Sequence, residues 1–213
     1  MSNYRRISDL IASRNNYRSD FPQHRSYLKI TREQYDLEFK KSFAEITSLR
    51  HESAEFELHE DQRELYENLF LYVTGSDKCK WELQKGLYLF GKIGYGKTIF
   101  LLAVCDLFFK FAMRKIEIIT ARDYDNELRV KGLQFYRKRP VFIDDIVKET
   151  LENQNLKWAF IKSVEMWYNS GAWVFLTSNY NQESVKNTYG EMTLSRLVSI
   201  VNFIEVRGTS KRK

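Results

Sequence analysis

Gly91-Lys92-Ile93-Gly94-Tyr95-Gly96-Lys97-Thr98 is the stretch on which the reading of this chain turns. It fits the spacing G-x-x-x-x-G-K-[ST], and its flanks agree with it. Leu87-Tyr88-Leu89-Phe90, just before, is a short apolar run suited to a buried strand. From Ile99 through Leu107, Phe108 and Phe111, apolar side chains continue at helical spacing. Strand, glycine-rich loop and helix in that order let backbone N–H groups turn inward around phosphate oxygens. The helix N-terminus adds partial positive charge there. The residues predict a bound nucleoside triphosphate with Mg²⁺. Gly91, Ile93, Gly94, Tyr95, Gly96, Lys97, Thr98 and Ile99 surround its phosphates. Lys97 reaches the β- and γ-phosphates, and the Thr98 hydroxyl holds Mg²⁺. The competing reading is a glycine-rich turn in some other α/β protein.

Outward from the loop, four more strand candidates follow: Ile116–Thr120, Val141–Ile143, Trp173–Thr177 and Phe203–Val206. Helical stretches alternate with them, notably Leu156 to Tyr168. That order predicts an α/β P-loop NTPase with a central five-stranded parallel sheet flanked by helices. Only 34 residues follow Asn179, too few for a helical lid after the last strand. Upstream, Thr31-Arg32-Glu33-Gln34 is a capping box, and Tyr35, Phe39, Phe43 and Ile46 recur on one face of the helix it starts. This stripe must bury against the main domain or against a partner protein. The acidic run over residues 52–67 marks a junction. Residues 1–52 are therefore read as a small helical appendage, a candidate for docking on a partner, and 53–213 as the nucleotide-binding domain. A helix carrying Leu65, Leu69 and Tyr72 stops at Gly75.

Bulk properties narrow the function classes. At 213 residues with 43% apolar side chains the chain can build one α/β core. A net charge of +6 permits nucleic-acid contact without requiring it. No apolar run approaches the roughly 20 residues of a membrane span, and the N-terminus carries no secretory signal. Cys79 and Cys105 are the only cysteines and lie far apart, and the three histidines are scattered, so nothing suggests zinc. The reading is a soluble, cytoplasmic protein with no membrane partner.

The Val141–Ile143 strand runs into Asp144-Asp145. Carboxylates at a strand end after a phosphate loop handle Mg²⁺ and the attacking water. Asp144 is the metal residue and Asp145 the one that polarises water, although paired Asp residues also make caps and turns. The next strand ends in Thr177-Ser178-Asn179. Ligands gather at the carboxyl ends of parallel strands, so Asn179 can bond the γ-phosphate or the water; a turn-forming Asn is the alternative. Leu194-Ser195-Arg196-Leu197 sets one Arg among apolar neighbours, either a finger for a neighbouring subunit's triphosphate or a surface Arg. Arg122, Arg129, Lys131, Arg137 and Lys138 are interleaved with Tyr124, Phe135 and Tyr136. Cations beside rings suit single-stranded DNA, and a solvated surface is the alternative.

In this order, phosphate loop, Asp-Asp, strand-end Asn and Ser-Arg-Leu, the chain resembles the AAA+ ATPases over roughly residues 56–212. Within them it is most similar to the branch of DnaC/DnaI-type replicative helicase loaders and IstB transposition helpers. Asp144-Asp145 with Glu149 follows that branch's D-D-x-G-x-E, and Thr177-Ser178-Asn179 its T-S-N. The stretch from Tyr189-Gly190 through Arg196 to Arg212 looks like its C-terminal signature. The resemblance implies ATP hydrolysis, slow and stimulated by DNA or partner, in subunits that associate through ATP-bridged interfaces. Arg196 would then act across the interface. It also implies single-stranded DNA and a replicative helicase as partners, or a transposase in the IstB alternative. A nucleotide-binding adaptor with negligible turnover is a third expectation. Val147 departs from the branch's Gly, Tyr95 from its usual Thr or Ser, and Lys92 adds a charge to the loop.

Overall fold

Along each strand, alternate side chains feed two separate cores. In the computed structural model, which describes residues 27–48, 56, 58–146 and 154–208, Leu87, Leu89, Ile118, Phe142 and Phe175 pack on one face of the sheet. Tyr88, Ile119, Val141, Ile143, Val174 and Leu176 pack on the other. A strand buried on both faces reads as a continuous apolar run, which is why these segments were visible as strands. The elements are α1 (Arg32–Ser48), α2 (Glu60–Thr74), β1 (Gly86–Phe90), α3 (Lys97–Ala112), β2 (Glu117–Thr120) and α4 (Tyr124–Lys131). A 3₁₀ turn (Leu133–Tyr136), β3 (Val141–Asp144), α5 (Gln154–Ser170), β4 (Val174–Ser178), α6 (Gln182–Tyr189), α7 (Glu191–Ile200) and β5 (Val201–Glu205) follow. All strand pairings are parallel, in the order β2-β3-β4-β1-β5. Helices α1 to α3 cover one face, and α4 to α7 the other. No helix follows β5 among the described residues, and the fold is the α/β P-loop type.

That order decides where the chemistry falls. Strand β4 sits between β1, which feeds the phosphate loop, and β3, which ends in Asp144. The end of β4, with Thr177 and Asn179, therefore stands between the two.

The N-terminal stripe finds its cover within the chain. The capping box is formed reciprocally: Gln34 N donates to Thr31 Oγ1 at 3.3 Å and Thr31 N to Gln34 Oε1 at 2.9 Å. Tyr35, Phe39, Phe43 and Ile46 then join the same core as α2 and the phosphate-loop helix α3. Phe39 meets Tyr66 edge-on with ring centroids 4.9 Å apart and lies 5.6 Å from the Phe100 ring. Arg32 stacks over Tyr66 and Phe70 and pairs with Glu67, and Tyr66 donates to Asp36 Oδ1 at 2.8 Å. Part of the acidic run thus belongs to α2 itself, where Glu60 and Asp61 favour the helix N-terminus. Phe39→Ala is expected to cost about 3–5 kcal/mol of unfolding free energy, as for other buried aromatic truncations. Urea denaturation measures it; a loss under about 1 kcal/mol would mean that α1 adds little to the fold.

Candidate functional site

The phosphate loop is shaped by glycine where no other residue fits. Gly91 takes φ 145°, and a Cβ on it would lie 2.3 Å from the Val206 carbonyl oxygen. Val206 N donates to Phe90 O at 2.7 Å, so the exit of β5 presses against the start of the loop. Gly96, at φ 84°, caps α3, whose first residue is Lys97. The 16-residue α3 directs its N-terminal N–H groups at the loop, the arrangement that favours anions.

Lys97 is 7% exposed. Its Nζ donates to Gly91 O at 2.8 Å, Lys92 O at 2.9 Å and Asn179 Oδ1 at 2.8 Å, as many acceptors as an ammonium has protons. Next to it, Thr98 Oγ1 donates to Asp144 Oδ1 at 2.7 Å. Asn179 Nδ2 reaches Asp145 Oδ1 at 3.3 Å. The structure thus brings Lys97, Thr98, Asp144, Asp145 and Asn179 into one connected group. They come from the loop and α3, the end of β3, and the end of β4.

Asp145 carries a φ of 58°, a left-handed turn that Asp tolerates better than most residues. Three bonds to β4 hold the turn. Asp145 N donates to Thr177 Oγ1 at 2.8 Å, Ile146 N to Thr177 O at 2.9 Å, and Ser178 Oγ to Ile146 O at 2.8 Å. Residue 147 and Glu149 lie outside the described residues, as do Arg212 and the rest of the segment 209–213.

The donor set fits Mg²⁺ bound through a nucleotide. Among the described residues no group of three or more His, Cys, Asp or Glu could hold a metal by itself. Mg²⁺ in phosphate sites is held by one or two carboxylates with phosphate oxygens and water. Thr98 and Asp144, already joined, are the residues that would hold it.

Three supporting residues escaped the sequence reading. Gln62 of α2 is buried, and its Nε2 donates to Tyr95 O at 2.9 Å, bracing the phosphate loop from behind. Thr177 links the two acidic residues. Tyr88, whose phenol is pushed up by burial and so stays neutral, donates to Tyr180 O at 3.0 Å and tethers the segment after Asn179. Of the three, only Thr177 had a signal, its place in Thr177-Ser178-Asn179.

Arg196 is joined to none of the connected group. It lies half-buried on α7, in the helical layer on the side of the sheet opposite α3, with Glu165 at 3.7 Å. Exposed Met192 and Val198 share its helix.

The basic segment needs one correction. Arg122, Arg129, Lys131, Arg137 and Lys138 are at the surface, yet Arg129 pairs with Asp125 at 2.8 Å and Lys131 with Glu127 at 2.6 Å. Tyr124 and Tyr136 are fully buried, their hydroxyls bonded to Ser163 and Glu127. An aromatic ring with a satisfied hydroxyl is worth more in the core than in water. Phe135 alone of the three rings stays partly open, with the Arg139 guanidinium 4.3 Å from its centroid. The three-ring stacking surface expected from the sequence is not built.

No protein-family model matches the chain, and no curated protein matches it in sequence. Solved structures share its fold. A DnaC helicase loader aligns with TM-score 0.60 at 16% identity, covering 71% of this chain and 93% of that one. DnaI aligns with TM-score 0.58 at 20% identity, covering 74% and 88%. The replication initiator DnaA, bound to AMPPCP and single-stranded DNA, aligns with TM-score 0.57 at 18% identity, covering 72% and 49%. These likenesses show a fold shared with the three replication proteins.

Proposed function

We propose that the chain is an ATP-driven loading factor of DNA replication, in which ATP binding closes an assembly of subunits on single-stranded DNA and hydrolysis releases it. One observation carries this reading: Lys97 of the phosphate loop and Asp145 of the acid pair meet the same side chain, Asn179, while Thr98 meets Asp144. A bare glycine turn has no need of this convergence. A γ-phosphate entering beside Lys97 would exchange the ammonium's carbonyl and amide partners for phosphate oxygens. Asn179, released from Lys97, then orients a water whose proton Asp145 attracts. Mg²⁺, when bound, would supply charge neutralisation for the phosphates, and Thr98 and Asp144 are the residues that would hold it.

The likeness to DnaC, DnaI and DnaA supports replication as the setting. In this reading the contact with a replicative helicase falls to residues 1–26, ahead of α1, because the apolar stripe of α1 is already covered. Arg122, Arg129, Lys131, Arg137 and Lys138 supply backbone charge contacts to DNA. The adaptor reading draws on Asp145, whose side chain is a carbon shorter than Glu and sets the water farther back.

The test is anisotropy of labelled single-stranded and duplex DNA at matched salt, with ATP and without nucleotide, alongside phosphate release. ATP is expected to tighten single-strand binding by about tenfold or more, the scale of ordinary allosteric coupling. Affinity indifferent to ATP would sink the loading cycle. A preference for duplex would favour the transposition-helper reading, and tightening without phosphate release the adaptor.

A further inference from the structure

Two carboxylates on adjacent residues at a strand end repel each other, and without restraint both would turn toward the same cation. In this site they diverge. Asp144 Oδ1 faces Thr98, on the metal side, and Asp145 Oδ1 faces Asn179, on the water side. One side chain touches both residues at the point of divergence. Thr177 is 1% exposed, and its hydroxyl accepts from Asp145 N at 2.8 Å while donating to Asp144 Oδ1 at 2.6 Å. A threonine hydroxyl has one proton and spare lone pairs, so this two-way arrangement suits it. The accepted bond holds Asp145 in its left-handed turn. The donated bond fixes the rotamer of Asp144 so that one oxygen receives two hydroxyls, from Thr98 and Thr177.

We infer that Thr177 is the positioning residue that separates the tasks of the acid pair, keeping Asp144 on the metal side and Asp145 on the water side. The inference rests on the ATPase reading above and deepens it. Strand β4 lies between the phosphate-loop strand and the acid-pair strand, so Thr177 also transmits the placement of β4 to both carboxylates.

Thr177→Val keeps the volume and removes the hydroxyl; Thr177→Ser keeps the hydroxyl. Two measurements suffice: hydrogen exchange of the Asp145 amide in the nucleotide-free protein, and ATP affinity with Mg²⁺ against affinity in a chelator. In the Val variant the amide is expected to exchange faster by about tenfold or more. The gain in affinity from Mg²⁺ should shrink by about ten- to a hundredfold, the usual cost of losing a partner that orients a metal ligand. Affinity in the chelator should stay within about twofold, KM for ATP with Mg²⁺ should rise in step with the lost affinity while kcat falls, and the Ser variant should behave as wild type. Unchanged amide exchange and Mg²⁺ gain in Thr177→Val would overturn the inference. So would equal losses in Ser and Val, since packing alone would then explain both. A wild-type protein that binds no ATP in either condition ends the ATPase reading by itself. The Asp145 amide still decides Thr177 in that case, unchanged exchange in the Val variant overturning its role.

Discussion

Lys97→Ala should abolish ATP binding, with a loss of about two to four orders of magnitude in affinity. Each hydrogen bond to a charged group is worth about 1.5–3 kcal/mol, and Lys97 is placed to make two with the β- and γ-phosphates. Losing both removes about 3–6 kcal/mol, and every 1.4 kcal/mol is tenfold in Kd. The effect should be large here because Lys97 is buried, at 7% exposure, where water does not substitute for its charge. The variant also strips donors from the carbonyls of Gly91 and Lys92, so part of any loss could come from a collapsed loop. Thermal unfolding without nucleotide separates the two effects: a melting point unchanged while ATP binding disappears assigns the loss to phosphate contact. Lys97→Arg sharpens the point, since its planar fork cannot reproduce a compact ammonium among three acceptors. If titration of a fluorescent ATP analogue gave the alanine variant an affinity within about threefold of wild type, this loop would not be a phosphate site.

The parts of this site legible in the sequence are those carried by local pattern. The phosphate loop announces itself through glycine spacing between a strand and a helix, and Asp144 and Asn179 through their places at strand ends. What joins them is not local. Gln62 reaches Tyr95 across 33 positions, Thr177 reaches Asp144 across 33, and Tyr88 reaches Tyr180 across 92. Such bonds follow from strand order, and alternation of strand and helix does not determine whether β4 or β3 lies beside β1. The same ignorance explains the aromatic misreading. Tyr124 and Tyr136 sit in a charged stretch, where polarity suggests a wet surface, but Tyr124 on the buried face of α4 and Tyr136 at the end of the 3₁₀ turn both pack into the core. For the α1 stripe, periodicity specified a buried face without naming its cover, and only the packing of Phe39 on Tyr66 and Phe100 supplies that.

Arg196→Ala should leave ATP binding nearly intact while reducing hydrolysis by about three to five orders of magnitude, the range for arginine fingers acting on a triphosphate. The geometry separates this from an effect within one chain. Arg196 is on the opposite side of the sheet from α3 and is joined to none of Lys97, Thr98, Asp144, Asp145 and Asn179. Its pairing with Glu165 at 3.7 Å and partial exposure is of the kind worth at most about 1 kcal/mol, so little holds it back from a neighbouring subunit. Complementation decides the matter. A Lys97→Ala chain cannot bind ATP but still carries Arg196, and an Arg196→Ala chain binds ATP but has nothing to offer its neighbour. Each alone should be inactive. In a head-to-tail assembly mixed at equal amounts, half the sites bind ATP, and half of those face a chain with an intact arginine. About a quarter of wild-type hydrolysis should therefore return. An arginine working inside its own chain restores nothing on mixing, because no single chain in the mixture holds both groups. Glu165→Gln should raise hydrolysis slightly or leave it unchanged. A fall as large as that of Arg196→Ala would mean that the ion pair, rather than a free guanidinium, is what the site requires.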